Sequence, residues 1–184
     1  LGLNHLGDWG VQFGKLAWAY RKWGHEYPFA EKPFESLFKL YVRFHDEAEK
    51  DPALEAEGSL TFKKLEGGDE SIKELWQKFV EISLADYQRI WTQLGVKLDL
   101  VRGESFYNDR MRPVEQALEQ KGLLEESDGA MVVRLDQDGM PPCLIRKSDG
   151  ASLYATRDLA SAIYRMEELK ADLNLYVVGV DQTL

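Results

Sequence analysis

The stretch DGASLYATRDLASAIYR, residues 149–165, decides the expected fold through the elements on either side of it. Turn residues open it, and apolar residues at helical spacing then predict a helix over 156–170. The segment CLIR at 143–146 precedes it, and the continuous apolar run LNLYVVGV follows at 173–180. Strand, helix and buried strand in this order predict a βαβ unit, and therefore an α/β fold with a parallel sheet. The helix should turn five residues inward: Leu159, Ala162, Ile163, Met166 and Leu169.

The residues before this unit are predicted to be mostly helical. Apolar stripes and stop signals predict helices over 8–23, 34–50, 53–65 and from Asp69 or Ser71 to Leu94. We interpret residues 25–95 as a largely helical insertion and residues 96–184 as an α/β part. The latter should contain a strand within VKLDLVRGES (96–105), a helix over 109–120, and a hairpin formed by GAMVVRL (129–135) and CLIR.

Composition limits the classes of protein to which the chain can belong. Hydrophobic residues make up 44% of the 184 residues, which excludes a disordered chain. The net charge of -9 argues against a free-standing nucleic-acid binder with a basic face. The lone Cys143 excludes an intramolecular disulfide, and no apolar run reaches the roughly 20 residues that span a bilayer. Because the chain opens on Leu1 and stops just after a predicted strand, we expect an excised piece of a longer protein.

Tyr154 and Asp158 stand four residues apart where the helix of the opening stretch begins, so both side chains project to one side. Helix capping or a favourable dipole interaction explains Asp158 without any ligand. A cationic ligand explains the phenol and the carboxylate together. The spacing alone leaves both explanations open.

Three more polar groups are expected at the carboxyl edge of the sheet, where open parallel sheets bind ligands. The segment GVDQ ends the last predicted strand and supplies Gly179, Asp181 and Gln182. Glu104 follows the predicted strand of 96–105. With Asp158 it would form a pocket of two carboxylates, which suits a guanidinium better than a metal because no His or Cys is placed to help. An ordinary polar loop is the alternative.

The opening NHLGDWGVQFG, residues 4–14, is dense in Gly, Asn, His, Asp and Trp. His5 could be a base or a ligand. The simpler interpretation is a packed turn, with Asp8 as the N-cap of the first helix and Trp9 in the core. Spacing does not choose between them.

Three segments in this order, NHLGDWGVQFG, SDGASLYATRDLASAIYR and LYVVGVDQTL, resemble the catalytic domain of the arginyl-tRNA synthetases, which are class I aminoacyl-tRNA synthetases. GES (103–105) and GAMVVRL also resemble segments of that family. The resemblance covers nearly the whole chain. It implies an incomplete Rossmann-like class I catalytic domain that carries a largely helical insertion.

The resemblance also implies roles for the candidate residues. Asp158 and Glu104 would hold the guanidinium of L-arginine, and Tyr154 would line the pocket. Gln182 would contact the α-amino or carboxylate end of the amino acid. Gly179 and Asp181 would lie at the nucleotide, with Asp181 on the ribose. The Asn4, His5 and Asp8 of the signature segment receive no role.

The resemblance implies that arginine is joined to its tRNA through an adenylate intermediate, with ATP and Mg²⁺ as substrate. It also implies a location in the cytoplasm. No tightly bound cofactor, no metal site and no membrane contact are implied. The family's two ATP signatures, resembling His-Ile-Gly-His and Lys-Met-Ser-Lys, are absent from these 184 residues, as are its tRNA-binding domains. We therefore expect tRNA contacts to lie mainly elsewhere, no catalytic residue within the chain, and no activity of the chain alone.

Two other functions remain compatible with the sequence. One is an arginine- or guanidinium-binding module, such as a synthetase-like paralogue without ligase activity. The other is a mainly helical interaction protein whose polar edge residues are only caps. The first predicts arginine binding without ligation, and the second predicts no arginine binding at all.

Overall fold

The amino end of the chain pairs with a segment that lies far along the sequence. Strand β1 (Leu3–Leu6) runs parallel to β2 (Leu100–Gly103), with Leu3 opposite Leu100 and Leu6 opposite Gly103. Parallel strands need a long crossover connection, and four helices provide it here. The computed structural model describes residues 1–148 and 154–180. Strand β2 lies within the predicted segment 96–105, whereas β1 was not predicted.

The four crossover helices agree with the predicted ranges except at the first boundary. They are α1 (Val11–Trp23), α2 (Pro33–Lys50), α3 (Ala53–Glu66) and α4 (Glu70–Gln93). Helix α1 was predicted to begin at Asp8, but it begins at Val11 with Gly10 at the N-cap. Gly10 has a φ of 143°, a value that L side chains rarely adopt. The residues before it belong to β1 and the turn that follows.

Helix α4 begins with a side-chain cap. The Asp69 Oδ1 accepts a hydrogen bond of 3.1 Å from the main-chain N–H of Ile72, and one of 2.6 Å from the Ser71 hydroxyl. Of the two predicted caps, the structure therefore selects Asp69. The hydrogen bond from the Ser71 hydroxyl, followed by that from the Ile72 N–H, lowers the pKa of Asp69 below its ordinary value.

Helices α1 and α3 cross with almost no space between their backbones. A Cβ added to Gly14 would lie 2.3 Å from the Gly58 carbonyl oxygen and 2.5 Å from the Phe62 nitrogen. Lys15, next to Gly14, is buried, and its ammonium lies 2.6 Å from a carboxylate oxygen of Glu55 on α3. Two glycines and a paired lysine therefore allow this close crossing, since a side chain at Gly14 would clash with main-chain atoms.

The apolar stripes of the four helices form two clusters of buried residues. One contains Ala17, Leu37, Leu65, Ile72 and Phe79, and the other contains Ala19, Leu40, Phe44 and Ala48. Trp9 packs against the first cluster, as the sequence predicted for a core residue, and meets Trp76 edge-on at 5.3 Å between ring centroids. Contacts group residues 1–105 into one compact unit, which we call the first unit.

The second unit comprises residues 106–184 and contains an antiparallel sheet. Helix α5 (Met111–Gln120) follows a 3-10 helix (Glu104–Arg110), so the predicted helix of 109–120 is confirmed except for its first turn. Strands β4 (Ala130–Val133) and β5 (Cys143–Arg146) form the predicted hairpin. The added strand β3 (Glu125–Ser127), which was not predicted, pairs with β4. Gly122, two residues after α5 ends, has a φ of 64°.

Helix α6 (Tyr154–Glu167) buries a different face from the one that was predicted. Its buried residues are Thr156, Ala160, Ser161 and Tyr164. Of the five residues predicted to face inward, Leu159, Ile163 and Met166 are exposed, and Ala162 and Leu169 are partly buried. Thr156 faces β5, and its hydroxyl donates a 2.6 Å hydrogen bond to the Ile145 carbonyl. Apolarity alone therefore identified the wrong face.

Residues 173–180 do not form the predicted strand, so the predicted βαβ unit is also wrong. Within residues 1–148 and 154–180, no strand pairs with this segment, and a strand needs a hydrogen-bonded neighbour to be stable. The apolar side chains of the segment are exposed, and Val177 retains 97% of its accessible surface.

The fold is a mixed α/β arrangement that is mostly helical and contains a short parallel sheet, which confirms the predicted α/β class. In the part of the chain that the structure describes, none of the helices combines the length and the apolar character needed to cross a membrane.

Candidate functional site

The carboxyl ends of β1 and β2 bring two predicted segments to one edge of the parallel pair. Leu6, the last residue of β1, is paired with Gly103, the last residue of β2. Gly7 and Asp8 therefore leave the sheet beside Glu104 and Ser105. Glu104 lies directly after β2, at the sheet edge where the sequence predicted it.

Asp8 fastens the two segments together. Its Oδ1 accepts a 2.8 Å hydrogen bond from the main-chain N–H of Ser105, and its Oδ2 accepts a 2.7 Å hydrogen bond from the Ser105 hydroxyl. The prediction that Asp8 caps α1 is therefore wrong. Both carboxylate oxygens are engaged by a segment almost a hundred residues away in sequence (a separation of 97), and Gly10 occupies the N-cap.

The residues around this carboxylate have little freedom. A Cβ on Gly103 would lie 2.0 Å from the Asp8 Oδ2, so any larger residue would displace the carboxylate. The Glu104 side chain extends over Gly7, with its Oε1 3.8 Å from the position that a Gly7 Cβ would occupy. Its other carboxylate oxygen, Oε2, is buried. Glycines on both sides thus permit two acidic side chains to lie close to one edge.

Helix α4 also holds the turn after β1. The Trp76 indole N–H on α4 donates a 2.7 Å hydrogen bond to the Asp8 main-chain carbonyl. The signature residues Asn4 and His5 lie within β1, opposite Val101 and Arg102 of β2, and both are partly buried. The His5 Nδ1 is buried. These contacts make the NHLGDWG segment a structural junction, and its Asn4 and His5 remain without an assigned role.

Tyr154 and Asp158 lie on α6 with a spacing that puts them on one side of the helix. Both are exposed, and Tyr154 retains 71% of its accessible surface. Asp158 is the fifth residue of α6 as described, and the first turn contains no acidic residue. It therefore does not occupy the N-cap position, which removes the simplest capping explanation. Their helix is held by the Thr156 hydrogen bond to Ile145. A 3.4 Å hydrogen bond from the Arg157 guanidinium to the side-chain amide oxygen (Oδ1) of Asn108 also holds it.

The remaining candidates are not brought together by the described residues. Asp181 and Gln182 lie outside the residues that the structure describes. Gly179 is exposed, and a Cβ added to it would meet open space. Glu104 belongs to the first unit, whereas Tyr154, Asp158 and Gly179 belong to the second.

Comparison with known proteins decides the family. A family model described as "tRNA synthetases class I (R), catalytic domain" matches residues 1–184, which is the entire chain. The chain belongs to this family of class I (R) synthetases. The resemblance inferred from the sequence is therefore confirmed.

Individual members of the class I (R) synthetases agree with the family match. A protein of Exiguobacterium sibiricum named arginine–tRNA ligase is 56% identical over 184 residues, which are 100% of this chain and 33% of that protein. The arginine–tRNA ligase of Clostridium acetobutylicum is 52% identical over 182 residues, which are 99% of this chain and 32% of that protein. The chain thus spans about a third of the length of the curated relatives it matches.

A solved structure extends the likeness to the fold. The crystal structure of arginyl-tRNA synthetase from Plasmodium falciparum matches with a TM-score of 0.74 and 27% identity, over 93% of this chain and 28% of that one. A fold similar to that of this chain therefore occurs in a protein named arginyl-tRNA synthetase.

Sequence reasoning missed two residues of the edge between β1 and β2, Gly103 and Ser105. Within the segment GES, only Glu104 was predicted to be a site residue, although Gly103 leaves space for a carboxylate and Ser105 binds that carboxylate. No cluster of three or more His, Cys, Asp or Glu residues with metal-binding geometry occurs within 1–148 and 154–180.

Proposed function

We propose that the protein takes part in attaching L-arginine to tRNA(Arg), with ATP converted to AMP and pyrophosphate. The observation that carries this proposal is the 56% identity, over the entire chain, to a protein named arginine–tRNA ligase. The match of the class I (R) family model to all 184 residues supports it. The cytoplasm, where protein synthesis takes place, is the proposed location.

The amino acid itself suggests which side chains recognise it. A guanidinium is always charged, is planar and pairs bidentately with carboxylates. We assign arginine contacts to Asp158 and Tyr154 of α6, to Glu104 after β2, and to Gln182 at the α-amino or carboxylate end. Support for the first two comes from their shared side of a helix whose opposite face is anchored to β5. Gly179 and Asp181 are assigned to the nucleotide.

The proposed chemistry has two steps. A carboxylate oxygen of arginine attacks the α-phosphorus of ATP, and pyrophosphate leaves. A hydroxyl of the terminal tRNA ribose then attacks the carbonyl carbon of the adenylate, and AMP leaves. Mg²⁺ accompanies ATP as part of the substrate. Asp158 and Glu104 do not transfer protons in either step; they hold arginine so that its carboxylate meets the nucleotide in the reactive orientation.

Specificity follows from the charge that the two carboxylates carry. Citrulline has nearly the shape of arginine but lacks its charge, so it would leave the carboxylates unpaired. Lysine has a charge but presents a single point donor instead of a planar fork. We therefore expect both analogues to be poor substrates. The tRNA is proposed to bind mainly through residues other than these 184, since their net charge of -9 does not favour a polyanion.

The decisive experiment measures the attachment of arginine to tRNA. It uses the complete encoded protein, which is this chain together with any residues that the same reading frame encodes before or after it. Asp158→Asn should lower kcat/KM for arginine by roughly 10- to 100-fold, the range for losing a charge-assisted hydrogen bond. The matched control is Asp172→Asn, which changes another exposed aspartate of the second unit and should leave the rate unchanged.

Each alternative function has its own outcome in this experiment. Arginine binding in a calorimeter without any charging of tRNA would favour a guanidinium-binding module. Neither binding nor charging would favour a helical interaction protein. The isolated 184-residue chain is expected to be inactive in the same assay, because it lacks both ATP signatures; formation of arginyl-tRNA above background would contradict this.

A further inference from the structure

We propose that Asp8 is a positioning residue: its carboxylate fixes the main chain on both sides of Glu104 and so sets the direction in which the Glu104 carboxylate points. This inference rests on the proposed function, in which Glu104 contacts arginine. It assigns a task to one residue of the NHLGDWG segment, which neither the sequence pattern nor the family match explains.

Two hydrogen bonds hold the main chain on the carboxyl side of Glu104. Asp8 binds both the main-chain N–H and the hydroxyl of Ser105, at 2.8 and 2.7 Å. A main-chain donor held by a carboxylate restricts the dihedral angles of the peptide unit that it belongs to. That peptide unit joins Glu104 to Ser105, so the carboxyl side of Glu104 is held directly by Asp8.

Gly103, on the amino side of Glu104, is also held in place. Gly103 is fixed by its pairing opposite Leu6 in the parallel register. The Asp8 carboxylate lies where a Cβ of Gly103 would be, with three of its atoms within 2.3 Å of that position. Asp8 thus packs against Gly103 and hydrogen-bonds Ser105. The only residue between these two contacts is Glu104.

Asp8 is itself held in place. Its main-chain carbonyl accepts the 2.7 Å hydrogen bond from the Trp76 indole of α4, and its main-chain N–H donates a 3.0 Å hydrogen bond to the Leu6 carbonyl. A carboxylate can orient another loop only if its own backbone is fixed. Asp8 meets this condition through both β1 and the helical insertion.

A merely structural aspartate and a positioning aspartate differ in which kinetic constant they change. If Asp8 acts through Glu104, its loss should raise the KM for arginine and leave the KM for ATP unchanged. If Asp8 only supports the fold, its loss should lower thermal stability and change the KM for arginine and the KM for ATP together. A displacement of about 1 Å at a contact group is enough to cost roughly 100-fold.

The test measures tRNA charging by the complete encoded protein, with arginine and ATP titrated separately. Asp8→Ala should raise the KM for arginine by roughly 10- to 100-fold, while the KM for ATP stays within about twofold. Asp8→Asn and Ser105→Ala each keep at least one of the two hydrogen bonds, so each should raise the arginine KM by less, about 3- to 10-fold. Asp46→Ala, which removes an exposed aspartate from α2, is the matched control and should change neither constant.

A double variant decides whether Asp8 acts through Glu104. In the Glu104→Gln background, Asp8→Ala should raise the arginine KM by less than about threefold, because the group that it positions has already been altered. Multiplication of the two single effects would overturn the inference, as would equal changes in the KM for arginine and for ATP. If Asp8→Ala does not fold, the same comparison is made with Ser105→Ala.

Failure of this inference is distinguishable from failure of the proposed function. A wild-type protein that does not charge tRNA with arginine refutes the proposed function. A wild-type protein that charges tRNA, together with a Glu104→Gln variant of unchanged arginine KM, refutes the role of Glu104 and with it the positioning role of Asp8.

Discussion

The helices of the first unit and the carboxyl-terminal part of the second unit differ in how far they bury their apolar residues. In the first unit, helices α1 to α4 cover each other, and Phe44 and Phe79 have no accessible surface. In the second unit, Leu159, Ile163 and the segment 173–180 expose apolar side chains. Similar hydrophobic patterns therefore have different outcomes, because burial depends on whether a complementary surface is present. In the first unit the residues of the unit itself supply that surface.

The largest expected effect comes from truncating a buried aromatic residue of α2, with an exposed one on the same helix as its control. Phe44→Ala should lower the free energy of unfolding by about 3–5 kcal/mol, because it opens a cavity in a closed core. Phe38→Ala on the same helix, where the ring is 61% exposed, should cost less than about 1 kcal/mol. Chemical denaturation followed by circular dichroism measures both.

The corresponding change in the second unit is Val177→Ala, at a side chain that is 97% exposed. We expect a change within about 0.5 kcal/mol in the same denaturation experiment. A loss above about 1 kcal/mol would mean that the segment 173–180 is packed, and would remove the contrast between the two units.

A smaller effect comes from adding a methyl group at a glycine. Gly14→Ala should destabilise the chain by about 1–3 kcal/mol, because the new Cβ would meet main-chain atoms of α3 at 2.3–2.5 Å. Gly179→Ala is the matched control in the second unit, where the added Cβ meets open space. Thermal unfolding of the two variants beside wild type measures the difference; equal melting temperatures would show that α1 and α3 can separate without cost.

A hydrogen bond of the second unit should contribute less still. Thr156→Val removes the hydroxyl that donates to the Ile145 carbonyl in a buried setting, and should cost about 1–2 kcal/mol. Thr92→Val removes a 2.8 Å bond from an exposed threonine to the Gln88 carbonyl, where water can replace it. Urea denaturation should detect only the first change. Equal losses would indicate that α6 does not depend on this anchor.

The smallest effect is a pH dependence confined to the first unit. The pKa of Asp69 is lowered on folding from its ordinary value of 3.8, chiefly by the Ser71 hydroxyl and then by the Ile72 N–H. A carboxyl group with a depressed pKa contributes stability that is fully present above its unfolded pKa. That contribution is lost as the pH falls from 3.8 through the folded value. Asp69→Asn keeps an acceptor but does not titrate, so its stability should approach that of wild type as the solution is acidified. A constant difference between the two at every pH would contradict this origin.

The helical half of the fold could be predicted from sequence because its signals are local. Stripes at helical spacing, the break at Asp51-Pro52 and the glycine at position 95 are all read within a few residues of the boundary they set. The start of α1 was placed three residues too early for the opposite reason. The side chain of Asp8, which would suit an N-cap, is bound by Ser105, a residue far away in sequence.

In the second unit, predictions from local sequence patterns were wrong where burial depends on a neighbouring element. Leu159 and Ile163 are more apolar than Thr156 and Ser161, but the latter two are buried, and Thr156 is hydrogen-bonded to Ile145 of β5. The run LNLYVVGV has the composition of a buried strand, yet no strand among the described residues pairs with it. Of the candidate site, the position of Glu104 and the spacing of Tyr154 and Asp158 could be predicted, since both follow from strand and helix periodicity. The Asp8–Ser105 contact could not.

The hydrogen bond between the Trp76 indole and the Asp8 carbonyl also makes Trp76 an intrinsic fluorescent probe of the turn after β1. Indole emission depends on the polarity and the hydrogen bonding around the ring, and this ring donates directly to the turn that carries the Asp8 carboxylate. Any rearrangement of that turn would alter the bond and with it the emission of Trp76. Events at the strand edge can thus be followed in real time, without attaching a dye, in a variant that keeps only Trp76 of the five tryptophans.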